Sequence, residues 1–245
     1  MGRRMGLLDE LKQQAESLRQ KQQVKQQLSQ EEIEQNLQLM DTRFKDALHY
    51  WKELFDSLNV VKPVVSRYYY LEGDARLENL LQCDYKADDR HLSVDQKDYT
   101  NTIVLRFHCA ADRKLTIEKQ MAPVVQRTRD FLWGHNLTFD LKETRNERGY
   151  VERGIFVVTS NVPVLITIAA NIENSQVKIT MKNLEKLGEF TYTYDFDEFG
   201  KELQEELAKV ILAKPNAFRA MGRHQQALRT ATARARPESG GPAAS

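Results

Sequence analysis

Between Ser29 and Asn59 the apolar residues Ile33, Leu37, Met40, Phe44, Leu48, Trp51, Phe55 and Leu58 recur in steps of three and four. That period puts them on one stripe of a helix. Nothing else in the chain constrains the fold as tightly. A helix over 29–59 would be roughly 45 Å long at 1.5 Å rise per residue. Ser29, with Glu32 three residues on, reads as a capping box that starts it. The stripe is broad, because Ala47 and Leu54 widen it, and Phe44, Trp51 and Phe55 are bulky for the a and d sites of a zipper. The half from Phe44 onward is therefore expected to pack on a sheet in the core. The half before it is left to meet a partner.

Residues 5–28 carry a thinner stripe, with Leu7, Leu8, Leu11, Ala15 and Leu18 at helical spacing and then only Val24 and Leu28. Eight glutamines lie between Gln13 and Gln30, with no Gly or Pro to interrupt a helix. The capping box at Ser29 favours a break there, so a helical hairpin is expected ahead of one continuous rod. The organisation reads as a Gln-rich helical arm over 1–28, an α+β globular domain over 29–214 and a basic tail over 215–245.

Pro63 ends the helical region, and the period then falls from 3.6 to 2. Strands are predicted over Val64–Leu71, Leu77–Tyr85 and Ile103–Cys109, with a polar loop over Lys86–Asn101 and a short hairpin partner over Lys114–Glu118. A helix opens at Pro123 and stops at Gly134. Five further strands follow: around Leu137–Leu141, Tyr150–Ser160, Val164–Ile172, Val177–Met181 and Phe190–Phe196, with a turn at Asn161-Val162-Pro163. Their apolar–polar alternation is the habit of an antiparallel sheet with one wet face. A last helix is expected over Asp197–Ala213, closed by Pro215. The fold class is thus α+β: an N-terminal long helix or helical hairpin, a largely antiparallel sheet of seven or eight strands, one internal helix and a C-terminal helix packed on the sheet.

Composition supports a sizeable core, with 41% hydrophobic and 29% charged residues. Two cysteines, Cys83 and Cys109, are too few for a secreted disulfide framework, so reduced thiols and a cytoplasmic location are expected, with a single Cys83–Cys109 bridge left open. The longest apolar run, Val162–Ile172, is far below the ~20 residues of a membrane span, and the N-terminus lacks a secretory apolar region. The net charge of +1 conceals a segregation. From Lys214 onward six cations (Lys214, Arg219, Arg223, Arg229, Arg234, Arg236) face one carboxylate, Glu238, a net of +5 that leaves −4 for the rest. The tail's composition predicts disorder.

No phosphate loop, dinucleotide fingerprint, nucleophile elbow, metal-ligand spacing or calcium loop occurs, so no catalytic residue, cofactor or metal is assigned. His108 and Cys109, as strand neighbours, point to opposite faces and cannot act together. His91 beside Asp88 and Asp89 reads as a solvated loop, and Asp195, Asp197 and Glu198 as a helix cap.

The expected function is a non-enzymatic interaction or scaffold protein, self-associating through its N-terminal helices by contacts that include Leu7, Leu11, Leu18, Ile33 and Leu37. Two alternatives remain open. Tyr68, Tyr70, Tyr192 and Tyr194 could line a cavity between sheet and helices for an apolar small molecule or lipid. The tail, through Arg219, Arg223 and Arg229, could contact a protein or, weakly, a nucleic acid.

Overall fold

A computed structural model describes residues 7–71, 75–222 and 224–226. Helix α1, Leu7–Val61, is a single rod of 55 residues, about 80 Å at 1.5 Å per residue. The expected hairpin is not formed: the helix runs through Ser29 without a break. Nothing in 7–61 forces a turn, since Gly and Pro are absent and Gln, Lys, Glu and Leu all propagate a helix. A side-chain cap can start a helix but cannot stop one already propagating through it. At the other end, Lys62 turns the chain in a left-handed conformation (φ 48°) just before Pro63.

Eight antiparallel strands follow among the described residues, in the order β1, β2, β3, β5, β6, β7, β8, with β4 pairing to β5. Their bounds are β1 Ser66–Tyr70, β2 Arg76–Val94, β3 Lys97–Gln120, β4 Phe139–Arg145, β5 Val151–Asn171, β6 Gln176–Lys182, β7 Glu189–Asp195 and β8 His224–Gln226. Helix α2, Ala122–Gly134, joins β3 to β4, and α3, Lys201–Ile211, follows β7 through a 3₁₀ turn at Phe196–Glu198. The carboxylate of Glu198 accepts the Asp195 N–H at 2.9 Å, closing that turn as a capping box. A one-turn helix, α4, Phe218–Met221, precedes β8.

Three sequence expectations change. Lys86–Asn101 is not a loop but the far half of the β2–β3 hairpin, turned by Asp95 and Gln96, both at positive φ. Its alternation is hidden because polar contacts hold it against α1. Lys97 Nζ meets Glu34 at 2.6 Å, the Thr100 N–H donates to Asp41 at 2.7 Å, and Asn59 bonds both backbone groups of Tyr85 at 2.9 and 3.0 Å. Residues 114–118 continue β3 rather than forming a separate partner.

Pro163 likewise does not break β5, a strand of 21 residues. Residues 151–158 pair with β4 and 165–171 with β6, so Pro163 falls in the interval that neither covers. Its carbonyl there accepts Asn183 Nδ2 at 3.1 Å. Since N–H and C=O of one strand residue point the same way, the missing donor costs no ladder bond.

The sheet's inner face carries the core. From α1, Met40, Phe44, Trp51, Phe55 and Leu58 are buried against it. The aromatic contacts run from helix to sheet: Phe55 to Tyr85 at 5.2 Å between ring centroids, and Tyr85 stacked on Phe107 at 5.2 Å. Phe44 meets Phe199 before α3 at 4.8 Å, and Trp51 Nε1 donates to Gln204 on α3 at 2.5 Å. The carbonyls that end α3 are met by Arg67, which donates to Val210 O at 2.9 Å and Ile211 O at 3.0 Å, and by Gln82, which donates to Ile211 O at 2.8 Å. Those groups would otherwise lack partners at a helix end. Helix α2 covers the other end of the inner face with Val125, Thr128 and Leu132, and packs so closely over Gly154 that a Cβ there would lie 2.7 Å from Val125 Cγ1.

One polar residue ties the loops together. Asn183, fully buried, donates to His135 O at 3.0 Å and Pro163 O, accepts the Gly188 N–H at 3.1 Å, and its own carbonyl accepts Tyr69 Oη–H at 2.9 Å. Its φ of 58° is left-handed, a region that Asn tolerates better than most residues. Asn183→Ala is expected to lower unfolding stability by about 3 kcal/mol, because three buried partners lose their bonds at once. Asn183→Gly, which relieves the backbone, should recover about 1 kcal/mol of that. Urea denaturation measures both; a loss under about 1 kcal/mol for the alanine variant would remove Asn183 from this role.

Candidate functional site

Helix α1 divides into two parts by what surrounds it. Among the described side chains its buried positions begin at Leu37 and end at Leu58. Those 22 residues span about 32 Å, and the backbone upstream of Leu37 continues as helix for about 45 Å more. Ile33 lies on the core stripe one turn above Leu37, yet it is 53% exposed, whereas Leu37 is 5% exposed. The stripe thus leaves the sheet between these two residues. Leu37, expected as a partner contact, belongs to the core of its own chain.

The departure point is shaped. A cleft of about 50 Å³ lies there, between Leu39 and Met40 of α1 and the β5–β6 connection at Ile172 and Ser175, with Phe196 alongside. Arg43 braces it: the guanidinium donates to Phe196 O at 2.6 Å, sits 4.8 Å from the Phe196 ring centroid and lies 3.8 Å from Asp197. Leu39 and Ile172 are exposed at its rim. So small a cleft holds a water or the tip of one side chain, not a lipid.

The four tyrosines do not come together. Tyr68 and Tyr70, on the edge strand β1, point outward and are 60% and 59% exposed, with their rings edge to face at 5.6 Å. Tyr192 and Tyr194 are buried, packed against Phe218 at 5.4 and 5.2 Å. The register of β1 puts Tyr69 inside instead. Alternation had already separated it from its neighbours, but nothing in SRYYY says which set faces the core. The space where a cavity was expected holds Trp51, Phe55, Tyr85 and Phe107.

Phe218 also moves the domain boundary. The chain beyond Pro215 is not all tail, because Tyr194 Oη–H donates to Phe218 O at 2.9 Å and β8 extends the sheet to Gln226. Arg219 is paired with Glu185. Arg223 and Arg229, like the expected disorder after 226, lie outside the described residues. For Leu7, Leu11 and Leu18 the helical backbone is described, and no contact is assigned to them.

The polar clusters are structural. His91 Nε2 is 2.9 Å from Asp89, and its Nδ1 is 3.5 Å from Thr100 Oγ1, an Asp–His–Thr line resembling a charge relay. Thr100 is buried at the α1 contact, so its hydroxyl cannot meet a substrate. Among the described residues no three His, Cys, Asp or Glu side chains cluster as metal ligands, and no helix is long and apolar enough to cross a membrane.

Cys83 and Cys109 are free thiols. Burial pushes Cys109 up to about 11, an effect the Tyr69 hydroxyl and Arg67 only partly offset. A thiol held so high is a poor nucleophile at neutral pH. Native protein treated with a thiol-specific disulfide reagent at pH 8 should therefore leave Cys109 unmodified while the unfolded chain reacts at both cysteines. Rapid native labelling of Cys109 would contradict its burial.

Burial, with Lys182 nearby, lowers the His135 pKa, and its Nδ1 has no hydrogen-bond partner. A histidine held neutral in the fold takes up its proton more readily when unfolded. Its contribution to stability is present above the ordinary value near 6.5 and is lost as pH falls below it. The melting temperature should thus drop between pH 7 and pH 5, and less so in His135→Gln; equal drops in both would exclude this residue as a cause.

No protein-family model, curated protein or solved structure matches this chain.

Proposed function

We propose that the chain is a non-enzymatic interaction protein that self-associates through the N-terminal part of α1. One observation carries the reading: α1 is a single helix in which the described buried positions run only from Leu37 to Leu58, with 30 residues of continuous helix before them and Ile33 exposed where they stop. A helix rarely persists in water on propensity alone; most of its stability comes from burying one face. The extended part offers such a face in its sequence, with Leu7, Leu11 and Leu18 at helical spacing and Ile33 exposed at its root. Burying each leucine against a like helix is worth about 1.5–3 kcal/mol before ordering costs. The rod also holds the arm at a fixed direction from the domain, so two chains meet without first ordering a linker. The cleft beside Leu39 supports the same reading, since a partner helix lying along the arm reaches it.

Light scattering coupled to size exclusion tests this. The full chain should elute as an oligomer at tens of micromolar. A chain beginning at Ser29, which keeps every described buried position of α1, should be monomeric and melt at nearly the same temperature. Leu11→Glu with Leu18→Glu in the full chain should also yield monomers. A full chain that is strictly monomeric sinks the proposal.

A further inference from the structure

All the helices described so far lie on the inner face or at the ends of the sheet, and the outer face carries no helix among the described residues. Cross-strand register arranges that face in rows. The middle row runs across three strands as Thr167, Thr180 and Thr191, with the Thr180 and Thr191 hydroxyls 3.2 Å apart. Two residues along on one side stand Arg90 and Lys178, and two residues along on the other stand Lys86, Arg106 and Lys182. Only Asp88 and Glu189 oppose these five cations within the rows, a net of +3. Asp88 is spent on Arg106. Lys86, Arg90, Lys178 and Lys182 have no ion-pair partner among the described residues. A chain with a net charge of +1 thus concentrates unpaired cations on one uncovered face.

We infer that this outer face binds the phosphate backbone of duplex DNA, through two rows of cations astride a low threonine ridge. Lys178 and Lys182 lie four residues apart on β6, about 13 Å along the strand. That matches the ~12 Å width of the B-DNA major groove, so the two rows can meet phosphates on both of its strands. Between the rows the threonines present hydroxyls to phosphates. Among the described side chains of these rows there is no Phe, Tyr or Trp to stack an unpaired base, which favours duplex over single strand. Contacts of this kind do not depend on sequence. Continuity with the tail adds to the argument. Gln226 pairs with Thr191 at the end of the ridge, and the chain that leaves it carries Arg229, Arg234 and Arg236.

Fluorescence anisotropy of a labelled duplex of random sequence, titrated with the full chain over a salt series, tests the assignment. Binding should weaken linearly in log–log form with salt. Lys178→Glu with Lys182→Glu should weaken it at least about tenfold and reduce the salt slope by about two. The same charge change made elsewhere, Lys201→Glu with Lys214→Glu, should cost less than about threefold. Both sheet lysines are solvent-accessible, and Lys178→Ala with Lys182→Ala provides a milder pair should the reversal disturb folding; a thermal melt identifies which pair is folded. Four results overturn the inference, the first three being no duplex binding at low salt, equal losses in sheet and control variants, and vesicles rich in phosphatidylserine competing as strongly as unlabelled duplex. Full binding by the sheet variants would assign the contact to the tail and overturn the sheet site.

Discussion

The structure depends on burying one aromatic stripe. Phe44, Trp51 and Phe55 rise along α1 at seven- and four-residue intervals, and each is closed over by a different part of the chain. Phe199 covers the first, Gln204 bonds the second, and Tyr85 with Phe107 packs the third. Aromatic side chains of this size dominate core energetics, and no single layer of this fold could cover them. A flat sheet would leave one flank of the helix wet. The sheet therefore curls, its long hairpin β2–β3 climbing one side of α1 while α3 closes the other.

That arrangement explains why the polar contacts lie where they do. The hairpin is fastened to α1 by Glu34, Asp41 and Asn59 as well as by the packing of Phe55 on Tyr85 and Phe107. Arg67 and Gln82 finish α3, whose last carbonyls would otherwise face the sheet without donors. Asn183 gathers three loops beneath α2 in the same way. All of these except Glu34, which pairs with the Lys97 side chain, satisfy backbone groups that the curl brings together.

Two features stand apart from these contacts among the described residues: the helix of α1 before Leu37 and the outer face of the sheet. They differ in chemistry. The arm offers leucines spaced for another helix. The sheet face offers threonines between unpaired lysines. Among the described residues no three His, Cys, Asp or Glu side chains cluster as metal ligands on either.

Periodicity alone determined the long helix from Ser29 to Asn59, the internal helix from Pro123 to Gly134 and most of the strands, because burial of one face imposes a repeat that survives in the sequence. It also separated Tyr69 from Tyr68 and Tyr70 and placed Cys109 in a strand. Tertiary structure alone decided the rest. Whether α1 breaks at Ser29 depends on whether anything competes with helix propagation, and nothing does. Pro163 is tolerated in β5 because of a gap between two partner strands, which no local pattern records. Lys86–Asn101 forms strands by pairing of β2 with β3 across the turn at Asp95 and Gln96, and Glu34 and Asp41 of α1 only add to that ladder. Which tyrosines face inward follows from the register of an edge strand, and Phe218 is core only because Tyr192 and Tyr194 lie across from it. These are properties of pairs far apart in the chain, and a single residue's chemistry cannot encode its partner's position.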